Sequence, residues 1–362
     1  MSYINTIGIA NPLYKSDQMD IYDYMVDTIP YPDKEKKVLR YLYKKSGIET
    51  RYSVLPDFSA TNGEERFYNT NNQYNPNVEN RLSVYDKSAL PLALEAIQNC
   101  LEDSTIPNSE ITHLITISCT GMSAPGMDAE IIKTLNLSKS IQRFNINFMG
   151  CFAAINGLKL ADTICRADTD ARVLVVSVEL CTLHFQNTIS ADYNLSNMLF
   201  ADGAAATIVT GNKISEQSLQ ISGFHSDINN KGEEDMSWNI TSSGFLMQLS
   251  SYVPKLLKAG FKDILDSIVS KYGIAFEELQ HWAIHPGGKR ILDNIEHEFA
   301  LENGELNASR KVLKDYGNMS SPTILFVLKS MQEAENKTKG EYIFTAAFGP
   351  GLTTETALLR YA

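Results

Sequence analysis

The alternation of strand-like and helix-like segments is the feature that most constrains the fold of this 362-residue chain. The apolar run ITHLITIS at 111–118 precedes the helical pattern GMDAEIIKTLNL, and IQRFNINFM at 141–149 precedes CFAAINGLKLADTICRAD. A further run, ARVLVVSVEL at 171–180, is almost continuously apolar, which is typical of a strand buried on both faces. The pattern therefore predicts an α/β fold in which helices pack on either side of a sheet.

A second α/β series follows the polar stretch GNKISEQSLQ, which begins at residue 211. In both series an apolar strand runs into a turn with a reactive side chain and then into a helix: NFMGC in the first, HWAIH in the second. The chain length suits two units of about 150 to 200 residues. We therefore predict two pseudo-duplicated α/β halves, 1–220 and 221–362.

Charge and cysteine content restrict the partners of the chain. The formal net charge of -11 and a pI near 5.1 disfavour general binding to nucleic acid or anionic membranes. The N-terminus lacks the basic and apolar regions of a signal peptide, and no long apolar run follows, so we expect a cytoplasmic protein with no membrane or nucleic-acid partner. Five widely spaced cysteines without a CxxC pair predict neither a disulfide framework nor a metal site.

Cys151 lies where a strand-like run meets a helix-like one. Gly150 allows a tight turn before it, and apolar residues then recur every three or four positions. A thiol at a helix N-terminus is expected to have a lowered pKa, within about 3.5 to 7.5 instead of about 8.5. The local sequence leaves both a nucleophile and an inert core cysteine open.

Three other positions could support such a thiol. His285 ends an apolar strand before a Pro-Gly-Gly turn, where it could be a base or a strand cap. Asn318 follows a glycine before a helix-like run, and it could be an N-cap or an amide donor to an oxyanion. The sequence Gly349, Pro350, Gly351 predicts a loop whose backbone approaches a ligand closely.

Five motifs in this order, GCFAA at 150, FADGAAA at 200, HPGGKRILD at 285, YGNMSS at 316 and FGPGLT at 348, resemble the type III polyketide synthases. This is the chalcone and stilbene synthase group of the thiolase superfamily, and the resemblance spans nearly the whole chain. It implies a thiolase-like fold with five layers, αβαβα, in a homodimer. It also implies a catalytic Cys151, His285 and Asn318, with acyl-CoA and malonyl-CoA as substrates and no other cofactor.

In such a site, Cys151 takes the acyl starter, and His285 and Asn318 stabilise the enolate that malonyl-CoA forms on losing carbon dioxide. Repeated condensation and ring closure then give a pyrone- or resorcinol-type product. The sequence specifies neither the starter, nor the number of extensions, nor the ring.

The resemblance also implies pocket and CoA-binding residues. Phe200 matches one of two gatekeeping phenylalanines, whereas Met247 stands at the other position, so we expect an altered range of starters. The remaining pocket positions are Cys119, Ala124, Cys181, His184, Ser320, Phe348, Gly349 and Pro350. For CoA, Lys45 matches a family cation, and Lys37 and Arg40 lie near the other two but out of register.

Three alternatives remain open at this level. An initiating ketoacyl-carrier protein synthase shares the fold and the triad, although FGPG and the region of Phe200 favour the polyketide synthase. A papain-like protease also has Cys, His and Asn in this order, but its cysteine lies near the mature N-terminus and not in mid-chain. An inactive scaffold protein is disfavoured because all three catalytic residue types are present.

Overall fold

A computed structural model describes residues 1–59, 66–68, 75–229, 236–250, 253–335 and 337–362. The strands in these ranges are β1 Ser2–Ala10, β2 Tyr14–Asp17, β3 Thr50–Ser53, β4 His113–Ser118, β5 Gln142–Asn147, β6 Arg172–Leu180, β7 Asp202–Thr210, β8 Leu219–Ile228, β9 Met236–Thr241, β10 Gly244–Leu249, β11 His281–Ile284, β12 Tyr342–Gly349 and β13 Thr353–Tyr361. The helices are α1 Gln18–Thr28, α2 Asp33–Lys45, α3 Val78–Glu102, α4 Met127–Thr134, α5 Ala153–Ala167, α6 Ala191–Leu199, α7 Val253–Tyr272, α8 Lys289–Glu298, α9 Asn307–Tyr316 and α10 Thr323–Gln332.

Nine strands form one hydrogen-bonded sheet in the order β11-β12-β13-β8-β1-β7-β6-β4-β5. The strands at each end of the sheet are parallel: β5, β4 and β6 at one end, and β11 and β12 at the other. The five pairs of neighbours from β12 to β6 are antiparallel. The two parts of the sheet meet where Ser2–Ile4 pairs with Leu219–Ile221. Residue 220 thus lies inside a strand, and the division of the chain at this residue stays a prediction.

Helices α5 and α10 form the central layer of the molecule. One buried cluster unites their apolar side chains with Ile117 and Val175 from one part of the sheet and Ile343 and Leu359 from the other. Gly157 of α5 allows this close packing, since a Cβ there would lie 2.6 Å from Ile117 Cδ1. Helix α3 covers the far face of the first part, and α7 packs on the second, so the predicted αβαβα layering is confirmed.

The sequence explains most of these elements. Every residue of β6 after Arg172 is buried, as its continuous apolar run predicts. The predicted strand-to-helix passages occur at β4 to α4, β5 to α5 and β11 to α8. None of the helices in the described ranges has both the length and the apolarity needed to cross a membrane.

Candidate active site

Cys151, His285 and Asn318 line a single cavity, which we call the central cavity. All three residues are at least 94% buried. The other lining residues are Cys119, Thr120, Gly150, Cys181, Phe200, Met236, Trp238, Met247, Leu249, Gly287, Ile291, Ser320, Phe348 and Pro350. The structure therefore brings together three side chains that lie up to 167 positions apart in the sequence.

Cys151 lies in a 3-10 turn, Gly150–Phe152, between β5 and α5. Gly150 has a φ of +79°, and a Cβ there would lie 2.2 Å from Pro350 Cδ. The predicted close approach of the Gly-Pro-Gly loop is thus an approach to the nucleophile turn. Gly349 does not line the cavity but packs behind this turn, where its Cβ would lie 2.6 Å from Phe152 Cδ1.

The prediction that the helix N-terminus lowers the pKa of Cys151 is wrong. Burial, with a smaller contribution from the nearby Glu179 carboxyl, raises the pKa of the thiol to about 12. Hydrogen bonds with Ser320 and Asn318 offset only part of this effect. Because α5 begins two residues after the thiol, the helix terminus does not compensate for the loss of water. The thiol is therefore neutral at pH 7.

His285 follows β11, and its backbone N–H donates to the Ala346 carbonyl of β12 at 2.8 Å. The side chain is 1% exposed, and neither ring nitrogen has a hydrogen-bond partner among the described residues. Burial lowers the pKa of His285 to about 3, so the imidazole is neutral. It does not cap the strand, and its N–H and its lone pair are both available to a substrate or to the thiol.

Asn318 is held in place by its backbone. Its N–H donates to the Leu199 carbonyl at 2.9 Å, and its carbonyl accepts from Ala201 N–H at 2.9 Å, which ties it to the segment containing Phe200. Its Oδ1 accepts from Ser320 N–H at 2.8 Å. The Nδ2 amide therefore remains as the donor of this side chain, in the same cavity as the Cys151 thiol, whose pKa it lowers.

A second cavity, the side cavity, adjoins the central one. Cys181, Phe200, Trp238 and Met247 line both, so the two residues predicted to form a gate, Phe200 and Met247, lie at the boundary of the cavities. The side cavity is further lined by Ser16, Ile21, Arg51, Tyr52, Ser53, Phe58, Thr182, His184, Phe185, Gln186, Tyr193, Ser196 and Asn197. A further cavity thus lies beyond the two gate positions.

Sequence reasoning missed the β9–β10 hairpin that covers this boundary. Its register places Trp238 opposite Met247 and Met236 opposite Leu249, and all four face the central cavity. The Trp238 indole N–H donates to the Cys119 carbonyl at 2.7 Å, which fixes the hairpin over the site. Alternation of apolar and polar residues in MSWNIT was the available signal.

His184 is a packing residue and not an acid or a base. Phe245 N–H donates to its Nδ1 at 3.1 Å, so Nε2 carries the proton that it donates to the Thr120 carbonyl at 2.7 Å. The ring stacks on Phe245 with centroids 4.3 Å apart. Burial lowers the pKa of His184 to about 3. Its role is to shape the side cavity as a neutral ring.

Glu179 is a further residue that the sequence did not single out. It is fully buried on β6, and its carboxylate accepts from Cys119 N–H at 2.9 Å and from the hydroxyls of Thr120 at 2.8 Å and Ser321 at 2.5 Å. Cys119 in turn accepts on Sγ from Gly150 N–H at 3.0 Å. Glu179 thus supports the wall of the central cavity and the turn that bears the nucleophile.

Glu179 is expected to make the stability of the protein depend on pH. Burial raises the pKa of Glu179 to about 7, above that of an unfolded glutamate, so the folded state binds the extra proton and loses stability as the pH rises through 7. Relative to Glu179→Gln, the unfolding free energy of the wild type should fall by up to about 3 kcal/mol between pH 5 and pH 8. Urea denaturation at pH 5 and pH 8 measures this difference in unfolding free energy, and Glu102→Gln, a change at an exposed glutamate, is the control. Equal changes of the unfolding free energy with pH in the wild type and in Glu179→Gln would contradict the prediction.

A third cavity, the entrance cavity, connects the site to the surface. It shares Leu249, Gly287 and Ile291 with the central cavity. Its cationic lining residues are Lys45, Lys289 and Arg290. Lys37 and Arg40 are exposed on α2 but do not line the entrance cavity. Its α2 wall is formed by the end of that helix, which includes Lys45, and the opposite wall is formed by the start of α8. The motif HPGGKRILD contained these two further cations.

Ala124 lies apart from the other predicted pocket residues. It is exposed in the loop between β4 and α4 and lines a separate cavity with Thr116 and Asn145. Within this chain, Ala124 does not contact the central cavity.

Comparison with known proteins agrees with this geometry. A family model described as chalcone and stilbene synthases, N-terminal domain, matches residues 2–213, and the corresponding C-terminal domain model matches residues 223–362. The alpha-pyrone synthesis polyketide synthase-like Pks18 of Mycobacterium tuberculosis is 28% identical, with 99% of this chain and 91% of that protein covered. The probable polyketide synthase 1 of Dictyostelium discoideum is also 28% identical over 99% of this chain, but the match spans only 11% of that protein.

Solved structures show the same likeness. The crystal structure of PKS-I from the brown alga Ectocarpus siliculosus superimposes with a TM-score of 0.92 at 28% identity. The superposition covers 99% of this chain and 98% of that one.

Proposed function

Since the chain belongs to the chalcone and stilbene synthase family and is a type III polyketide synthase, we propose that Cys151 carries the growing acyl chain and that His285 and Asn318 activate malonyl-CoA. The enzyme is an acyltransferase that catalyses decarboxylative condensation of thioesters. Its family uses no cofactor beyond the CoA thioester substrates. The observation that carries the proposal is the neutral His285, without a partner among the described residues, in one buried cavity with Cys151 and Asn318.

Loading begins when the Cys151 sulfur attacks the thioester carbonyl of an acyl-CoA. The neutral imidazole of His285 takes the thiol proton, since the thiol does not ionise by itself at neutral pH. The carbon–sulfur bond to CoA breaks, and CoA leaves as the thiol with that proton. Cys151 then holds the acyl group as a thioester.

Extension uses the same residues in a second role. Malonyl-CoA loses carbon dioxide, and the electron pair of the broken carbon–carbon bond forms an enolate on the thioester. The His285 N–H and the Asn318 Nδ2 donate hydrogen bonds to the enolate oxygen. The enolate carbon attacks the Cys151 thioester, a new carbon–carbon bond forms, and the sulfur of Cys151 is released for the next round. The finished chain closes to a pyrone- or resorcinol-type product.

The pocket residues Cys119, Cys181, Phe200, Met247, Ser320, Phe348 and Pro350 shape this reaction space, and Lys45, Lys289 and Arg290 receive the CoA phosphates. Met247 is an adaptable side chain at the gate, which favours acyl chains other than flat aromatic ones.

Intact-mass measurement with a series of aliphatic and aromatic acyl-CoA starters tests the proposal. We expect at least one starter to add one acyl group, which peptide mapping locates on Cys151, and subsequent malonyl-CoA to give polyketide products. An acyl group on another residue, or no adduct with any starter, would contradict it.

We also propose that the protein is a homodimer formed through the edge of β5. Five of the six β5 residues are exposed, although this strand is an edge of the main sheet. Three large apolar side chains on and beside it, Met122, Phe144 and Met149, are 38% to 42% exposed. The cavity containing Ala124 opens on the same face. Such a grouping of apolar groups is typical of an interface.

The dimer can be tested by light scattering after size-exclusion chromatography. We expect the wild type at twice the chain mass of 40.3 kDa and Phe144→Glu at a single chain mass, because a buried unpaired carboxylate opposes association. Ile228→Glu, a change at an exposed strand residue elsewhere, serves as control. A monomeric wild type would refute this assembly.

A further inference from the structure

Phe148 has a backbone conformation that a bulky residue seldom adopts. It follows β5, three positions before Cys151, and its φ is +58°. In this left-handed region a side chain as large as that of phenylalanine strains the backbone. Strained residues persist only where the surrounding contacts hold them, and they gather at functional sites. Since the side chain of Phe148 is only partly buried, burial in the core does not by itself explain its position.

The ring of Phe148 contacts the β9–β10 hairpin. It packs on the buried ring of Phe245, with centroids 5.1 Å apart and an interplanar angle of 60°. Phe245 is itself fixed, because its N–H donates to His184 Nδ1 at 3.1 Å and its ring stacks on the imidazole of His184. The hairpin therefore offers Phe148 a firm surface that holds its strained backbone in place.

Cys119 makes a second link between the hairpin and the nucleophile turn. Its Sγ accepts the Gly150 N–H at 3.0 Å, and its carbonyl accepts the Trp238 indole N–H at 2.7 Å. The residues on both sides of Met149 are thus tied to one hairpin, whose side chains line the central cavity. The turn that bears Cys151 is held against the same hairpin that forms a wall of the reaction space.

We propose that Phe148 is a positioning residue for the loading step. Its contact with Phe245 holds the nucleophile turn in the orientation that the Cys151 sulfur needs to attack an acyl thioester. This inference rests on the proposed role of Cys151 as the acyl carrier. A displacement of about 1 Å can slow such an attack about 10²-fold, because the reacting atoms must be both close and aligned.

Decarboxylation of malonyl-CoA should not need the contact between Phe148 and Phe245. We assign that step to His285 and Asn318, whose backbone hydrogen bonds are to β12 and to the segment containing Phe200. A ring that only supported the fold would affect both reactions alike, whereas a ring that positions Cys151 affects loading alone. The two rates, measured on one protein, therefore distinguish these roles.

The test measures both rates in variants that lack the ring. Phe148→Asn and Phe148→Gly remove it, and both residue types adopt positive φ values readily, so the backbone of the turn is preserved. Intact mass gives the second-order rate of Cys151 acylation by the acyl-CoA that loads fastest, and labelled malonyl-CoA gives the rate of decarboxylation. Phe276→Asn, a change at an exposed phenylalanine that lines none of the three connected cavities, is the control.

We expect both Phe148 variants to load Cys151 at least about tenfold more slowly and to change decarboxylation less than about threefold. The control should change neither rate. In a Phe245→Leu background, which already lacks the ring partner, Phe148→Asn should slow loading by less than about threefold further, since the two changes remove the same contact.

Four results would overturn the positioning role and leave Cys151 as the acyl carrier. They are unchanged loading in either Phe148 variant, equal losses of loading and decarboxylation, an undiminished further loss in the Phe245→Leu background, and a change of assembly in light scattering that accompanies the slower loading. Failure of every acyl-CoA to load Cys151 in the wild type would overturn the proposed function and this inference together.

Discussion

Replacing Cys151 with alanine is expected to abolish the acyl adduct and all polyketide products while malonyl-CoA decarboxylation stays measurable. The variant removes the only sulfur on the nucleophile turn, so no thioester forms there. His285 and Asn318 remain in the central cavity, and their positions depend on β11, β12 and the segment at Phe200 and not on the thiol. Mass spectrometry measures the adduct, and release of labelled carbon dioxide from malonyl-CoA measures decarboxylation.

Cys181→Ala is the matched control, because Cys181 is a buried thiol that lines the same cavity. We expect this variant to retain the adduct. This thiol follows β6 and does not lie on the turn before α5, where Cys151 is placed beside Asn318 and His285. An adduct that persists in Cys151→Ala, or disappears in Cys181→Ala, would assign the acyl group to a different sulfur.

The three proposed catalytic residues could be picked out because each lies where the sequence indicates that a strand or helix ends. A glycine or proline next to each residue indicates the end of a strand or helix: Gly150 before Cys151, Pro286 after His285 and Gly317 before Asn318. The order of the motifs then indicated that these three residues belong to one site. The three residues lie close together because segments far apart in the chain pair with one another. One such pair is the His285 N–H and the Ala346 carbonyl. Periodicity alone contains no information on that pairing.

Other features could not be predicted, for physical reasons that differ. The pKa of Cys151 depends on burial by distant residues, so the local argument from the helix terminus gave the wrong direction. Trp238 reaches the site only through the β9–β10 register and its bond to the Cys119 carbonyl. Lys289 lines the entrance cavity because α8 begins beside the end of α2. This packing cannot be predicted from the sequence of either helix alone.

Exchange of Asn318 for aspartate should separate decarboxylation from loading. Aspartate has nearly the same shape, and its carboxylate can still accept from Ser320 N–H, so the turn after Gly317 is preserved. The change replaces the Nδ2 donor with an anionic oxygen that repels the enolate. Loss of one such donor typically lowers the rate about 10² to 10³-fold, and we expect at least that fall in carbon dioxide release from malonyl-CoA.

Loading of Cys151 should survive in Asn318→Asp, since the proton of the thiol passes to His285 and not to the amide. The adduct with acyl-CoA is therefore expected at full yield, although more slowly where the new charge disfavours the attacking sulfur. Asn303→Asp, an exposed change of the same kind, controls for added charge and should leave both steps unchanged. Unaltered decarboxylation in a folded Asn318→Asp protein would show that His285 alone stabilises the enolate, and complete loss of loading would show that the amide acts in both steps.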